Sequence, residues 1–414
     1  MFFLLRFLRR IIQIGDLTII GPNGARHTLG DGQAPPIVVH LKNRWLPWKI
    51  LFNPSLYAGE AYMNGALTFE KGDIGAFITL FKRNVRHRSS GTLQNNISYW
   101  IRRALRTVFL YMPVFRARRD VAHHYDLNGE LYALFLDDDR QYSCAYFRHR
   151  ENTLEEAQEN KKALLARKLL LQPGQRVIDI GSGWGGLALF LNKTAGVKVT
   201  GITLSQEQYT ASCERARQEG VEGEVDFLLR DYREVTGKFD RLVSVGMFEH
   251  VGLPQYPVFF RKAHDLLTDD GIGLLHTIGR SEGPGVTNPW ILKYIFPGGY
   301  SSALSEIVPA IEQAGFYITD IEVLRMHYAY TIEHWIKRFQ ANRAHIAALF
   351  DERFCRMWEF YLEASIAAFA DDDHVVFQIQ FAKRQMAVPL TRDYLCDALN
   401  TPAPATGGKS PASR

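Results

Sequence analysis

The chain has 414 residues, of which 46% are hydrophobic and 22% charged, a balance typical of a globular protein of two or three domains. No apolar run reaches the roughly 18 residues that a membrane-spanning helix needs. The cysteines stand apart without any CxxC spacing, which argues against a disulfide framework and a structural zinc site; they are Cys144, Cys213, Cys355 and Cys396. A reducing compartment fits best, and no metal is expected.

The charge is unevenly distributed along the chain. Residues 1–119 hold 18 lysines and arginines against 5 acidic residues, a net charge of +13, and the remaining residues carry −8. A basic half predicts an anionic partner, either nucleic acid or phospholipid. The alternative is a solvated basic face without a partner.

The first residues, MFFLLRFLRRIIQIG, resemble a signal peptide only superficially. Arginines interrupt the apolar run, and no small-residue cleavage site follows it. At 3.6 residues per turn, Arg6, Arg9, Arg10 and Gln13 fall on one face of a helix. The segment is either a helix that lies in a membrane interface or an ordinary amphipathic helix packed on its own domain.

Composition divides the chain into four segments. Residues 1–85 combine strand-like stretches at 17–20 and 36–41 with a helix-like segment near 74–81, and residues 86–125 form a basic, aromatic linker helix and connector. From about 126 to 400 strands and helices alternate. The tail 401–414 is rich in Pro, Ala, Gly and Ser and is expected to be disordered.

The third segment has the pattern of an α/β fold. Thr153 and Glu156 have the spacing of a capping box, which opens a helix up to residue 171. Strands are predicted at 177–180, 197–202, 225–229, 242–245 and 272–277, with helices at 184–191, 205–218 and 257–267. A further strand at 375–381 would be antiparallel. This alternation predicts a doubly wound, Rossmann-like parallel sheet beside a smaller α+β domain.

A glycine-rich turn, VIDIGSGWGG (177–186), leads from the first of these strands into a helix, so its backbone can approach a ligand closely. A dinucleotide site needs an acid at the end of the second strand, where this chain has Thr203, Leu204 and Ser205. Instead, Asp179 precedes the first glycine and Asp231 ends the third strand. This arrangement resembles the pattern of S-adenosylmethionine methyltransferases. Glycines of such a turn also serve tight packing, however, and Ser205 with Gln208 also has the spacing of a capping box.

These motifs are joined by others in a fixed order, and together they resemble the cyclopropane-fatty-acyl-phospholipid synthase family, which includes the mycolic acid cyclopropane synthases. The likeness covers roughly residues 35–395. Its marks are NPSLYAGEAYMNG (53–65), HYD (124–126), YSCAYF (142–147), GITLSQEQ (201–208), VSVGMFEH (243–250), LHTIG (275–279), YIFPGG (294–299) and HYAYT (327–331). The sequence departs from the family pattern at Leu127, where the family has Gly before Asn, and at Tyr300-Ser-Ser, where it favours Pro; the second departure leaves the substrate open.

The resemblance implies a class I methyltransferase domain at 126–400, a smaller lipid- or membrane-binding α+β domain at 1–85, and a set of site residues. Cofactor contacts fall on Tyr142, Ser143, Asp179, Gly181, Gly183, Thr203, Leu204 and Gln208, with Asp231 and Tyr232 near the adenine. The family holds a bicarbonate ion, whose ligands match the side chains of Glu249, His276 and Tyr328 and the backbone of Cys144 and Ile278. Cys144 is therefore not a nucleophile, and Glu249 beside an anion is expected to have a raised pKa.

The implied reaction moves a methylene group from S-adenosylmethionine to the cis double bond of an unsaturated phospholipid acyl chain and gives a cyclopropane. The intermediate carbocation is stabilised by aromatic faces and deprotonated by bicarbonate; Tyr142, Phe147, Tyr294, Phe296 and Tyr328 are the candidate wall residues. A related lipid methyltransferase that does not close the ring is the alternative. For Phe147 and Phe296, core packing is an equal alternative.

Two other classes of protein are disfavoured. A binding module with a decayed catalytic domain would be expected to have lost Asp179, the glycines or Glu249. A nucleic-acid methyltransferase would carry Asn-Pro-Pro-aromatic after the fourth strand, where this chain has Gly246-Met-Phe-Glu249, so no nucleic-acid partner is expected. We expect a cytoplasmic enzyme, peripherally associated with anionic lipids of the inner membrane face; a homodimer is compatible with the sequence.

Overall fold

A computed structural model describes residues 1–88 and 129–396 of the chain. Most of the predicted basic linker, the HYD motif at 124–126, the departure at Leu127 and the tail from residue 401 lie outside the described residues. No helix within the described ranges is long and apolar enough to cross a membrane.

The N-terminal part is a four-stranded sheet covered by helices. Its elements are α1 (Phe2–Ile11), β1 (Asp16–Ile20), β2 (Arg26–Gly30), β3 (Ile37–Leu41), α2 (Leu46–Phe52), α3 (Pro54–Met63), β4 (Leu67–Lys71) and α4 (Ile74–Arg88). The strand order is β2-β1-β3-β4, and β1 runs parallel to β3 and antiparallel to β2. Its core includes Leu17, Ile19, Val39 and Leu67, each at most 3% exposed.

Helix α1 packs on its own domain, the second of the two alternatives for this segment. Leu4, Leu5, Leu8 and Ile11 are buried in the N-terminal core, because positions three and four apart lie on one side of a helix. Its opposite side exposes Phe2 and Phe3 together with the arginines. The sequence pattern therefore predicted an amphipathic helix, but both of its faces carry large apolar side chains.

The second sheet contains the glycine motif. Its strands are β5 (Arg176–Ile180), β6 (Lys198–Thr203), β7 (Val225–Leu229), β8 (Phe239–Val245), β9 (Leu267–Arg280), β10 (Ser302–Ala303), β11 (Tyr317–Leu324) and β12 (His374–Ala382). The order is β11-β12-β9-β8-β5-β6-β7, with β10 paired to β9. Strands β5 to β9 are parallel, while β12 is antiparallel to both β9 and β11. The predicted doubly wound α/β sheet and its antiparallel strand are confirmed.

Helices lie between and beside these strands. They are α5 (Gly129–Phe135), α6 (Leu154–Lys168), α7 (Gly186–Ala195), α8 (Gln206–Gln218), α9 (Tyr256–Leu266), α10 (Pro289–Tyr294), α11 (Leu304–Gln313), α12 (His327–Ala341), α13 (Arg343–Leu349), α14 (Glu352–Ala370) and α15 (Asp393–Cys396). Thr153 and Glu156 form the predicted capping box of α6, each side chain bonding the other residue's backbone N–H.

Helix α3 joins the two parts of the molecule by packing against α10 and α14. Gly59 leaves room for the Trp290 ring, which lies 2.7 Å from where a Cβ would stand. The Trp290 indole N–H points at the Met63 sulfur, 3.1 Å away. Glu60 accepts hydrogen bonds from Lys293 Nζ at 2.7 Å and from the Tyr294 hydroxyl at 2.8 Å. The N-terminal sheet is thus fixed to the element that precedes the FPGG stretch.

Candidate active site

A cleft opens at the carboxyl ends of the parallel strands, the usual ligand position in such sheets. Its space, open mouth included, is about 1180 Å³, enough for a nucleoside-sized ligand. All ten candidate cofactor residues line it: Tyr142, Ser143, Asp179, Gly181, Gly183, Thr203, Leu204, Gln208, Asp231 and Tyr232. The ends of β5, β6, β7 and β8 bring most of them together, although they are far apart in sequence.

The glycine turn fits a closely bound cationic ligand. Gly183 has a φ of +54°, and a Cβ there would point into open space rather than into protein. Asp179 is buried, and its Oδ2 has no hydrogen-bond partner in the part of the chain described. Burial raises the pKa of Asp179 to about 7, and the charge of Lys161 only partly opposes this. An ammonium group placed beside Asp179 would supply the missing partner.

The opposite end of the cleft carries a second acid, and here the structure refines the prediction. Both carboxylate oxygens of Asp231 accept hydrogen bonds from the Arg233 guanidinium, at 2.8 and 2.7 Å, so an adenine amine would share an acceptor already in use. Ser205 caps α8 by accepting from the Gln208 backbone, but the Gln208 side chain bonds Thr203 Oγ1 at 2.9 Å instead of closing a capping box. Gln208 is therefore turned toward the cleft.

A buried lysine holds the segment that covers the cleft. Lys161 on α6 is fully buried and donates to Gln141 Oε1 at 2.5 Å and to Ser143 Oγ at 2.9 Å. Gln158, one turn earlier, donates to the backbone carbonyls of Gln141 and Ser143. Burial lowers the pKa of Lys161 to about 8. Sequence reasoning missed this residue, because a lysine between Asn160 and Lys162 has the pattern of a solvent-exposed helix face.

The proposed anion ligands lie behind the cleft rather than on its walls. Glu249, in a short 3-10 helix (Phe248–His250) after β8, is buried. Its Oε1 accepts from the Ile278 backbone N–H at 2.6 Å, and its Oε2 has no hydrogen-bond partner among the described residues. Burial raises the pKa of Glu249, because it disfavours the charged form of the carboxyl. The Ile278 N–H therefore donates to Glu249, and a contact of the Ile278 backbone with an anion stays a prediction.

His276 is oriented by a neighbouring strand. Its Nδ1 lies 3.1 Å from Nε2 of Gln378 on β12, and because that amide nitrogen is a donor, Nδ1 accepts. Burial lowers the pKa of His276 well below its usual value, with Lys161 and Lys168 acting in the same direction. The neutral ring then carries its proton on Nε2, which becomes a hydrogen-bond donor.

Cys144 and Tyr328 belong to the hydrophobic cluster against which Ile278 packs. The Cys144 thiol points at the Ala145 carbonyl, 3.4 Å away, and burial raises its pKa. A thiol in this state is a poor nucleophile, in agreement with a backbone role. The Tyr328 ring lies 5.7 Å from Trp335 and 4.8 Å from Phe369.

Aromatic rings connect the cofactor cleft to the buried ligands. Tyr142 stacks on Trp335 at 5.1 Å, and its hydroxyl lies 2.9 Å from that of Tyr361. Phe296 contacts both Tyr361, at 5.9 Å, and the cleft residue His250, at 5.6 Å. Sequence reasoning missed Tyr361 and Trp335, because aromatic residues of an amphipathic helix have the same pattern whether they form a core or a site wall.

Two candidate wall residues have other contacts. Phe147 packs against Tyr330 at 5.8 Å and His334 at 5.5 Å on a different side of α12, in agreement with its alternative role in core packing. Tyr294 bonds Glu60 at the junction with α3. The departure at Tyr300 is explained by its contacts: its N–H donates to the Glu249 carbonyl at 3.0 Å, and its hydroxyl donates to Glu306 at 2.7 Å. Tyr300 therefore helps to hold the backbone of Glu249 in place.

Comparison with known proteins agrees with this geometry. The family model described as mycolic acid cyclopropane synthetase matches residues 114–379. The cyclopropane-fatty-acyl-phospholipid synthase of Escherichia coli (strain K12) is 37% identical over 348 residues, which cover 84% of this chain and 88% of that protein. Tuberculostearic acid methyltransferase UfaA1 of Mycobacterium tuberculosis (strain ATCC 25618 / H37Rv) is 33% identical over 389 residues, which cover 90% and 89% of the two chains.

Among solved structures, mycolic acid cyclopropane synthase CmaA1 complexed with SAH and CTAB has a TM-score of 0.61 and 33% identity, covering 66% of this chain and 99% of that one. The fold and the site thus define an S-adenosylmethionine-dependent methyltransferase, and the preference for this cofactor over a dinucleotide is confirmed. Within that class, the chain belongs to the mycolic acid cyclopropane synthetase family, of the cyclopropane-fatty-acyl-phospholipid synthase type.

Proposed function

We propose that this enzyme converts the cis double bond of an unsaturated phospholipid acyl chain into a cyclopropane at the surface of an anionic bilayer. The observation that carries the proposal is the buried pair of Glu249, whose pKa is raised, and His276, whose pKa is lowered. Burial disfavours the charged form of each side chain, and in its uncharged form each could donate a hydrogen bond. Buried donors of this kind suit a small anion that removes a proton.

The cleft residues suggest how the cofactor is held. Asp179 would accept from the amino group, Gln208 would bond a ribose hydroxyl, and Asp231 with Tyr232 would flank the base. S-adenosylmethionine, when bound, supplies an electrophilic methyl group. An isolated double bond is a weak nucleophile, so the protein must align it and exclude water. The stacked rings of Tyr142 and Trp335 would provide an apolar wall for this purpose.

Ring closure requires a carbocation and the loss of a proton. The π electrons of the double bond would form the new bond to the methyl carbon while its bond to sulfur breaks and that electron pair leaves with the neutral thioether, so a cation remains on the neighbouring chain carbon. Ring faces of Tyr142, Phe296 and Tyr361 would stabilise that cation. Loss of a proton from the added carbon lets the C–H electron pair form the third ring bond. Bicarbonate, when bound, supplies the base.

Neutral donors suit this site, since an ionised side chain beside the cation could trap it. Glu249 would donate from Oε2, His276 from Nε2, and Tyr328 from its hydroxyl. We expect Glu249→Gln to raise the bicarbonate concentration needed for half-maximal activity, because an amide is a weaker donor than a carboxylic acid. Full activity with unchanged bicarbonate dependence would contradict the role.

The second candidate is an enzyme of this family that methylates the lipid without closing the ring. The similar protein UfaA1 is named a methyltransferase, and this name supports the second candidate. Lipids extracted from a host that lacks cyclopropanes and expresses this enzyme decide between the two. Ring closure adds one CH2 unit and removes the double bond, and proton NMR then shows ring signals upfield of all other chain protons. A gain of one CH2 unit without those ring signals would refute ring closure but would still agree with methyl transfer.

A further inference from the structure

One side of α1 and α2 exposes five large side chains, which we call the aromatic face: Phe2 (69% exposed), Phe3 (55%), Trp45 (57%), Trp48 (50%) and Phe52 (90%). The rings of Phe3 and Trp48 lie 5.4 Å apart, and those of Phe2 and Phe3 lie 5.5 Å apart, so the two helices form one patch. Contiguous apolar surface of this size usually marks an interaction site.

The spacing on α2 shows that the patch is a helix face. Positions 45, 48 and 52 are three and seven residues apart, so Trp45, Trp48 and Phe52 project from one side of the helix. The other side of α2 buries Leu46 and Pro47. Helix α1 is anchored in the same way by its leucines. The aromatic face therefore exists in the folded protein without either helix leaving its domain.

Cations surround these rings. The two segments that carry the face, 1–15 and 42–59, contain six lysines and arginines and no acidic residue: Arg6, Arg9, Arg10, Lys42, Arg44 and Lys49. All six are exposed, and the Arg44 guanidinium lies 5.3 Å from the centre of the Trp45 ring. Aromatic rings among cations match the headgroup region of a bilayer, where Trp prefers to lie and where anionic lipids attract Lys and Arg.

The face is also connected, through α3, to residues that contact the cofactor cleft. Helix α2 ends at Phe52 and α3 begins at Pro54. Glu60 on α3 holds Tyr294, and Phe296, two residues further on, contacts the cleft residue His250. A lipid bound at the face would therefore lie at the end of α2, next to the helix that contacts Tyr294.

We propose that the aromatic face is the docking surface for an anionic phospholipid bilayer, with the rings inserted at headgroup depth and the six cations on lipid phosphates. The proposal rests on the lipid substrate of the proposed function. Docking of this kind combines apolar burial with charge attraction, so it weakens both with salt and with loss of the rings.

The test is flotation of the full-length enzyme with vesicles of phosphatidylcholine, with or without phosphatidylglycerol. We expect the variant Trp45→Ala/Trp48→Ala/Phe52→Ala to bind anionic vesicles about tenfold or more weakly than the wild type, and Phe52→Ala alone, at the most exposed position, to weaken binding to a smaller degree. The matched control is Met386→Ala/Leu390→Ala, whose side chains are 70% and 83% exposed on the other part of the molecule. The control should bind like the wild type.

Activity measurements distinguish a failure of the docking proposal from a failure of the proposed function. With detergent-dispersed unsaturated phospholipid, the triple variant should turn over as the wild type does, whereas on vesicles it should lose activity in proportion to binding. Vesicle binding through the face by an enzyme inactive on every lipid would refute the proposed function alone. Unchanged vesicle binding by the triple variant would overturn the docking surface, as would a loss of self-association in sedimentation, which would assign the face to a second copy of the chain.

Discussion

At the scale of single residues, the glycine motif contributed most to the prediction of the cofactor site from the sequence. A strand that runs into Gly181 and Gly183 can form only a tight turn with positive φ, at +88° and +54°, so its neighbours must face a ligand. Asp179 and Asp231 could be predicted because they end strands of one parallel sheet. Tyr361 could not, since its contacts with Tyr142 and Phe296 depend on packing between distant segments. The bond between Arg233 and Asp231, in contrast, joins residues only two positions apart.

Asp179 gives a prediction for cofactor binding. Its pKa of about 7 in the ligand-free protein means that the carboxyl is mostly protonated at pH 6. A cationic ligand favours the carboxylate, so S-adenosylmethionine should displace about 0.9 proton at pH 6 and close to none at pH 9. Calorimetry in buffers of different ionisation enthalpy measures this release. The matched variant Asp179→Asn should show no proton release at either pH, and release unchanged in that variant would assign the proton to another group.

Lys161 gives a second prediction, on stability. Its folded pKa of about 8 lies below the ordinary lysine pKa of 10.5, so between these two pH values the unfolded chain binds more protons than the folded one. Stability therefore gains a contribution as pH rises from 8 to 10.5. We expect Lys161→Met to remove that gain in urea titrations and to weaken S-adenosylmethionine binding about tenfold, because Ser143 loses its donor. Wild-type pH dependence in the variant would exclude this role; Lys162→Met, which does not reach Ser143, is the control.

At the scale of elements, strand and helix positions followed from periodicity, but their ends did not. Helix α7 begins at Gly186 instead of 184, because Gly185 is left-handed, with a φ of +83°. Strand β9 runs for 14 residues, well beyond the predicted 272–277, because pairing with β8 begins at Leu267 and pairing with β12 continues to Arg280. Because Asp269 and Asp270 near its start are exposed, no hydrophobic pattern in the sequence marks where β9 begins.

The contact between α3 and α10 can be tested through Glu60. Replacing Glu60 by Gln keeps its shape but weakens the bonds from Lys293 and Tyr294, and we expect a loss of about 1 kcal/mol in the free energy of unfolding. Because Phe296 follows on the same segment, turnover of long-chain lipid should fall while S-adenosylmethionine affinity stays unchanged. Glu70→Gln is the control, since Glu70 bonds Arg26 and His40 within the N-terminal sheet. A change in cofactor affinity only would argue against this coupling.

At the scale of the whole molecule, charge asymmetry predicted an anionic partner from the sequence, but not where it would bind. Part of that charge lies in residues 89–128, outside the described residues, and part of it surrounds the aromatic face. The face itself required the folded structure. Phe3 and Trp48 are 45 positions apart in sequence, and their contact depends on the packing of α1 against α2.

The contacts of Glu60 fix the distance between the aromatic face and the active site. Phe52 ends α2 and Asn53 is not helical, so only the six positions from Pro54 to Glu60 lie along α3, which corresponds to about 9 Å at 1.5 Å per residue. A phospholipid whose headgroup stays at the bilayer surface then presents only one stretch of its acyl chain to the cofactor, at a fixed distance from the glycerol. We expect regioselectivity: isomers with the double bond displaced by several carbons should react slowly, whatever the headgroup. Mass spectrometry of competing positional isomers in mixed vesicles measures this preference, and equal conversion of all isomers would show that the acyl chain slides freely.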